Sequence, residues 1–411
     1  MARMQASTYA MVPVEDALKI VLANAPRLDT EEVALESALG RVLAETAVAK
    51  DDMPPFVASA VDGYAVVAAD GQRPRQVLAE VVAGSDRNDR VNPGTAMRIM
   101  TGAPVPDGAD AVLMVEVVSE RGGMMISEVS AKAGDNIHPR GQDVQRGQDV
   151  LGPGVTLGPA EIGLLATVGH PRIRVYRRPV VAVLSTGDEL VEPGEDLRPG
   201  AIRDSNRYAL MASVREAGGE PMSLGSVRDD EAEQEARIRE GLRVADVVLT
   251  SGGVSVGSRD LIKPILQRVG TVHFGRIAFK PGKPTTFATT ERTLIFGLPG
   301  FPVSSLVSFE VFVRPALRQM QGFQRIHRPV VQVELEHDIQ RSPDRPEYQR
   351  AIVRWRGGHL VARLTGIQRS SRLLSLVGAN AFLRIDAGLT PITRGASIGA
   401  LLVGEILPDD G

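Results

Sequence analysis

The chain has no cysteine. This excludes disulfide bridges, thiolate nucleophiles and sulfur-based zinc sites, and makes the cytosol the expected compartment. Histidine is scarce, six scattered residues, so any metal must be held by oxygen ligands. Charge of one sign is also missing: 47 Lys and Arg against 50 Asp and Glu leave a net charge of −3, with no long basic block. That argues against nucleic acid or an acidic membrane as a non-specific partner. No stretch approaches the ~18 apolar residues of a membrane span. Met1 to Met11 lacks a positive start followed by an apolar core, so export is not expected.

What is present is a 411-residue chain, 43% hydrophobic and 24% charged, long enough for two to four domains with substantial cores. Its 42 glycines and 27 prolines are dispersed, which predicts many turns between short β elements. Val14 to Leu28 carries apolar residues at helical spacing. From Val48 to Gly141 short β-type runs alternate with Gly, Pro and Asp, the pattern of a separate β-rich module. Pro159 to Val168 reads as a helix, and Arg177-Arg178-Pro179 marks a boundary. From Val180 to Gln319 strands and helices alternate, which predicts parallel βαβ units. The predicted strands are Val180 to Leu184, Met222 to Val227, Val247 to Leu249 and Thr293 to Phe296, with an apolar helical run from Val303 to Leu317. The tail from Pro329 alternates like a small antiparallel sheet or barrel.

Chemistry is predicted where these strands end. Thr250 to Gly257 is a glycine-rich turn whose Gly252, Gly253, Ser255 and Gly257 let backbone N–H groups approach an anion, and Asp260 closes it. No Gly-Lys-Ser/Thr follows, so a nucleoside triphosphatase has little support. Arg276, Lys280 and Lys283 bring positive charge beside the apolar Ile277 and Phe279, read as strand residues of a buried platform. Leu298-Pro299-Gly300-Phe301-Pro302 then turns into the helix that carries Ser304 and Ser305. Asp62, Asp143, Glu189, Asp229 and Asp260 form an acidic set that suits Mg²⁺ bridging phosphate oxygens. Each alone also reads as a cap or solvated charge, and Asp229 is placed at a helix start. Ligands of open parallel sheets bind at these carboxyl ends.

Six motifs in order, SAVDGYA from Ser59, MTGAPVPDGAD from Met100, STGDEL from Ser185, TSGGVSVG from Thr250, KPGKPT from Lys280 and LPGFPVSS from Leu298, resemble the molybdopterin molybdenumtransferases. These are the bacterial MoeA proteins and the related gephyrin E domain. PEYQR from Pro346 and TGIQ from Thr365 extend the resemblance to the tail. The fold it implies is α/β multidomain. A central doubly wound α/β domain of molybdopterin-binding type (7–26 and 178–326) would hold a parallel-rich sheet. A linker/β domain (27–51 and 142–177), an inserted β-rich module (52–141) and a small C-terminal β-barrel (327–411) would accompany it.

The implied reaction takes adenylylated molybdopterin and molybdate, inserts the metal at the dithiolene and releases AMP with Mg²⁺ assistance. Asp62, Thr101, Asp143, Glu189, Asp229 and Asp260 match acidic or hydroxyl site positions, and Arg276 and Lys280 match basic ones. Pro299, Pro302, Arg350 and Ser370 match positions near the pterin or oxyanion. The implied assembly is a homodimer whose β-rich module reaches over the partner's α/β cleft, with exchange of substrate or cofactor among other molybdenum cofactor biosynthesis proteins. At Arg276 the bacterial pattern usually has lysine, and at Phe301 asparagine. Phe cannot cap a helix, which predicts altered oxyanion affinity or selectivity. Molybdopterin adenylylation and a non-catalytic pterin-binding scaffold remain the competing functions.

Overall fold

Three apolar runs of the central segment, Val180–Thr186, Val247–Ser251 and Leu294–Leu298, become strands buried on both faces, while Glu220–Val227 forms a more exposed edge. Val180–Thr186, Glu220–Val227, Val247–Ser251 and Leu294–Leu298 pair in parallel. A hairpin of Thr271–Phe274 and Thr286–Thr289 extends the sheet by antiparallel pairing. Across the sheet the order is Glu220–Val227, Val180–Thr186, Val247–Ser251, Leu294–Leu298, Thr286–Thr289, Thr271–Phe274. The chain moves outward from Val180–Thr186 to Glu220–Val227 and returns to the other side at Val247–Ser251. The order therefore reverses between Val180–Thr186 and Val247–Ser251, where open α/β sheets leave a crevice.

Strand alternation sends side chains into two cores. Val181, Val183, Val247, Leu249, Leu294, Phe296 and Leu298 face the helices Val14–Ala23, Asn206–Glu216, Pro302–Ser308 and Arg314–Met320. Ala182, Leu184, Val248 and Ile295 pack with Ile238, Ile265 and Leu266 of helices Glu231–Val244 and Ile262–Val269. The sheet is thus doubly wound.

This computed structural model describes residues 9–84, 89–254 and 261–409. They divide into two compact units, one of Met1–Glu31 with Tyr176–Gly411, the other of Glu32–Val175. The first unit also contains a closed five-stranded barrel ordered Val330–Leu335, His359–Leu364, Glu347–Arg356, Ala381–Ile385, Ser397–Leu402. Closure removes the exposed edges that a five-stranded sheet would carry. The second unit holds a six-stranded sheet ordered Ala111–Met114, Gly63–Val66, Thr95–Ile99, Arg75–Val81, Met124–Ser127, Val118–Arg121, and the helix Pro159–Thr167.

The helical run after Pro302 is observed as expected, with a π turn, Phe309–Val313, between Pro302–Ser308 and Arg314–Met320. Three sequence expectations need correction. The barrel is not wholly antiparallel, since Val330–Leu335 pairs in parallel with His359–Leu364. Ile277 and Phe279 are fully buried, as expected of a platform, but lie in the connection of the hairpin rather than in a strand. The N-cap of Glu231–Val244 is Asp230, whose Oδ1 accepts from Glu233 N–H at 2.8 Å, and not Asp229.

Candidate functional site

At the crevice the structure opens a cavity of about 850 Å³, walled by four loops that leave parallel strands, the last of which runs into the start of the Pro302–Ser308 helix. After Val180–Thr186 come Gly187 and Glu189, and after Glu220–Val227 comes Asp229. After Val247–Ser251 come Gly252, Gly253 and Val254, and after Leu294–Leu298 come Pro299, Gly300, Phe301, Pro302 and Ser304. Four turns distant in sequence thus share one cavity, of a volume typical for small-molecule sites.

The glycine turn is required by space. Gly252 has φ +100°, and a Cβ there would lie 2.4 Å from the Thr186 carbonyl oxygen. Gly253 has φ +64°, and its Cβ would meet Ile262 Cγ1 at 2.8 Å. Both conformations suit glycine. The Glu189 carboxylate folds back over Gly187, whose added Cβ would come within 2.6 Å of Glu189 Oε2. Asp229 N–H donates to Asp188 Oδ1 at 3.2 Å, which ties the second strand's loop to the first. With Asp230 acting as the cap, Asp229 lies on the cavity wall beside Glu189.

A polar network forms part of this wall. Asp204, 2% exposed, accepts from Ser185 Oγ at 3.0 Å and from Arg207 Nε at 2.9 Å. Arg207 also donates to Ser223 Oγ and to Glu192. Hydrogen bonds from Tyr208 and then Arg207 hold the Glu192 carboxyl below the usual carboxylate range. This braces the start of helix Asn206–Glu216, where Asn206 Nδ2 donates to Ser251 Oγ at 2.8 Å and to Gly300 O at 2.7 Å. One amide thereby holds two cavity turns together. Sequence reasoning missed Asn206 and Asp204. The available signal was Asp204-Ser205-Asn206 opening a helix, an N-cap composition with more polar groups than a cap uses.

Arg203 is the cation that lines the cavity among the described residues, and the cations expected from the sequence do not. Lys280 pairs with buried Glu347 of the barrel at 3.1 Å, and its backbone bonds to Pro346 and Tyr348. Lys280, Lys283, Arg276 and Arg350 are not among the cavity-lining residues. Arg350 is fully buried: Nε donates to Ser375 Oγ at 3.1 Å, Nη2 to Arg369 O at 3.2 Å, and Nη1 has no partner. Burial pushes its pKa down to about 10, with nearby Glu347 opposing. Ser370 approaches the cavity turn through its carbonyl, which accepts from Val303 N–H at 3.1 Å. Because Pro302 has no N–H and that of Val303 is taken, the helix start offers an oxyanion fewer donors than expected. Phe301 stands at the N-cap with no side-chain cap.

In the second unit Asp62 and Thr101 meet, Asp62 Oδ1 accepting from Thr101 N–H at 2.7 Å. Asp143 belongs to a loop clamped by Asp52, whose carboxylate accepts from Arg140 Nε at 2.5 Å and Arg146 N–H at 2.8 Å. Ser255, Gly257 and Asp260 lie outside the described residues, and with them one of the three expected metal ligands. Among the described residues no cluster of three or more His, Cys, Asp or Glu is suited to a metal ion, and no helix is long and apolar enough to cross a membrane.

Three family models match in sequence: the MoeA N-terminal region (domains I and II) over residues 12–169, a probable molybdopterin binding domain over 182–319, and the MoeA C-terminal region (domain IV) over 332–403. The chain is 37% identical to gephyrin of Dictyostelium discoideum over 97% of its own length, and spans 63% of that relative. It is 36% identical to the molybdopterin molybdenumtransferase of Bacillus subtilis, over 96% of this chain and 94% of the relative. The crystal structure of a molybdopterin biosynthesis MoeA protein from Pyrococcus horikoshii superimposes with a TM-score of 0.82 at 33% identity, covering 96% of this chain and all of that one.

Proposed function

The chain belongs to the MoeA family of molybdopterin molybdenumtransferases, and from that premise we propose that it inserts molybdate into adenylylated molybdopterin, with Mg²⁺, and releases AMP. One observation carries the reading: two carboxylates, Glu189 and Asp229, and the Gly252-Gly253 turn line the same cavity at the reversal point of the sheet. A carboxylate pair facing open backbone suits a ligand that combines phosphate with a divalent cation.

The donor set fits Mg²⁺. Glu189 and Asp229 supply hard oxygen ligands, and Mg²⁺ usually takes one or two carboxylates together with waters and phosphate oxygens. Asp260 is proposed as a third ligand. Held by these carboxylates, Mg²⁺ would supply neutralisation of the phosphate charge. The Gly252-Gly253 backbone positions the pyrophosphate, while Asn206 keeps this turn and the Pro299–Pro302 turn at fixed separation. Molybdate is assigned to the Pro299 to Ser304 end, where the Ser304 hydroxyl offers a donor. Lys280, Lys283, Arg276, Arg350 and Ser370 are assigned to the oxyanion and pterin portions, and Asp62, Thr101 and Asp143 to the same reaction from the partner protomer of a cytoplasmic homodimer.

The test is a single turnover of purified protein with adenylylated molybdopterin, molybdate and Mg²⁺, with AMP measured. Molybdate-dependent AMP release is expected, falling at least ~100-fold in Asp229→Asn with the fold retained. Absence of AMP release by the unaltered protein overturns the reading, and ATP-dependent adenylylation in its place assigns the preceding step.

A further inference from the structure

We infer that Phe301 and Asn206 form a recognition corner for the flat nitrogen heterocycle of the ligand. Phe301 supplies a face for stacking, and Asn206 Oδ1 accepts a hydrogen bond from the heterocycle's exocyclic amine. The inference rests on the substrate reading above, with molybdate at the Ser304 side of the Pro299 to Ser304 turn and the heterocycle at its Phe301 side.

Single exposed hydrophobic side chains are ordinary on protein surfaces. Phe301 differs in its position. It is 59% exposed while lining the cavity, and it is the only aromatic residue among those described there. It makes no ring or cation contact among the described residues. Nor does it serve its own helix, since its side chain makes no cap bond. An aromatic face open to a cavity, with neither a ring partner nor a capping role among the described residues, is the feature that a planar heterocycle uses.

The orientation of the Asn206 amide follows from its partners. The Gly300 carbonyl can only accept, so Nδ2 must face it, at 2.7 Å. The second Nδ2 hydrogen goes to Ser251 Oγ at 2.8 Å. Both donors are consumed, and the amide presents Oδ1, which has no protein partner among the described residues. Gly300 directly precedes Phe301, so the acceptor and the aromatic face belong to one corner of the cavity. A ring with an amine on its edge satisfies both.

Adenine and pterin share this chemistry, and binding by the full-length protein distinguishes them. AMP is compared with IMP, and 6-carboxypterin with 6-carboxylumazine; in each pair an oxo group replaces the exocyclic amine. For one pair the amino form should bind about tenfold more tightly than the oxo form. Phe301→Leu should weaken that heterocycle about tenfold while Phe301→Trp retains it, and in turnover Phe301→Leu should raise KM with kcat little changed. The responsive pair identifies the ring in the corner. Equal binding of amino and oxo forms in both pairs, no binding of any probe, or unchanged affinities in Phe301→Leu would overturn the inference. If the probe results hold but the unaltered protein releases no AMP, the corner stands and the proposed reaction falls.

Discussion

Gly252 and Gly300 both line the cavity, yet they tolerate a methyl group very differently. At Gly252 φ is +100° and a Cβ would lie 2.4 Å from a backbone oxygen that cannot move without disturbing Val180–Thr186. At Gly300 the nearest atom to an added Cβ is the Gly252 Cα at 3.5 Å, an ordinary contact. Gly252→Ala should therefore cost about 1–3 kcal/mol and most of the activity, whereas Gly300→Ala should stay within ~0.5 kcal/mol of the unaltered protein. Thermal unfolding of the two variants checks the contrast, and equal losses would remove the steric argument for the turn. The adjacent carboxylates divide in the same way. Asp230→Ala removes a cap and should cost about 1 kcal/mol with the reaction intact, while Asp229→Ala, at a carboxylate that lines the cavity, should suppress AMP release. Paired measurements of Tm and turnover separate the two roles.

At the scale of elements, legibility followed the range of the forces. The parallel strands were readable because burial on both faces writes an uninterrupted apolar run, as in Val180 to Leu184 and Val247 to Leu249. The glycine turn was readable because only glycine fits its backbone. The π turn at Phe309–Val313 has no sequence period of its own. Asn206 escaped because its two partners lie 45 and 94 residues away. Arg350 was identified by resemblance, but nothing in PEYQR announces that its guanidinium is fully buried.

An element-scale prediction concerns the loop that carries Asp143. Asp52 holds it through the Arg146 N–H and the Arg140 side chain, which keep the Asp52 carboxyl below its ordinary pKa. A carboxylate depressed in the folded state contributes stability above its unfolded pKa and loses it as pH falls through the folded value. Amide exchange at Arg146, corrected for the intrinsic rate, should thus accelerate on acidification below the ordinary aspartate range. Asp52→Asn should show fast exchange already at neutral pH. A pH-independent rate in the unaltered protein would mean that the clamp does not hold this loop.

At the scale of the whole molecule, the residues assigned to the reaction by the proposal fall in both compact units, Asp62, Thr101 and Asp143 in Glu32–Val175 and Glu189 and Asp229 in the other, which makes a shared site testable. If a homodimer builds each site from one unit of each protomer, inactive variants should complement one another. Asp62→Ala damages one unit and Asp229→Ala the other. In a mixed dimer one site collects both substitutions and the second collects neither. After unfolding and co-refolding of equal amounts, about half the dimers are mixed and each has one intact site, so activity should recover to about a quarter of the unaltered level. Were each site completed within a single protomer, every site in the mixture would carry one substitution and no activity would return. The same mixture with Glu189→Gln in place of Asp62→Ala supplies the control, because Glu189 and Asp229 line one cavity of one unit and cannot complement by exchange. Recovery in the first mixture alone would establish that the site is shared; recovery in neither would confine it to one protomer.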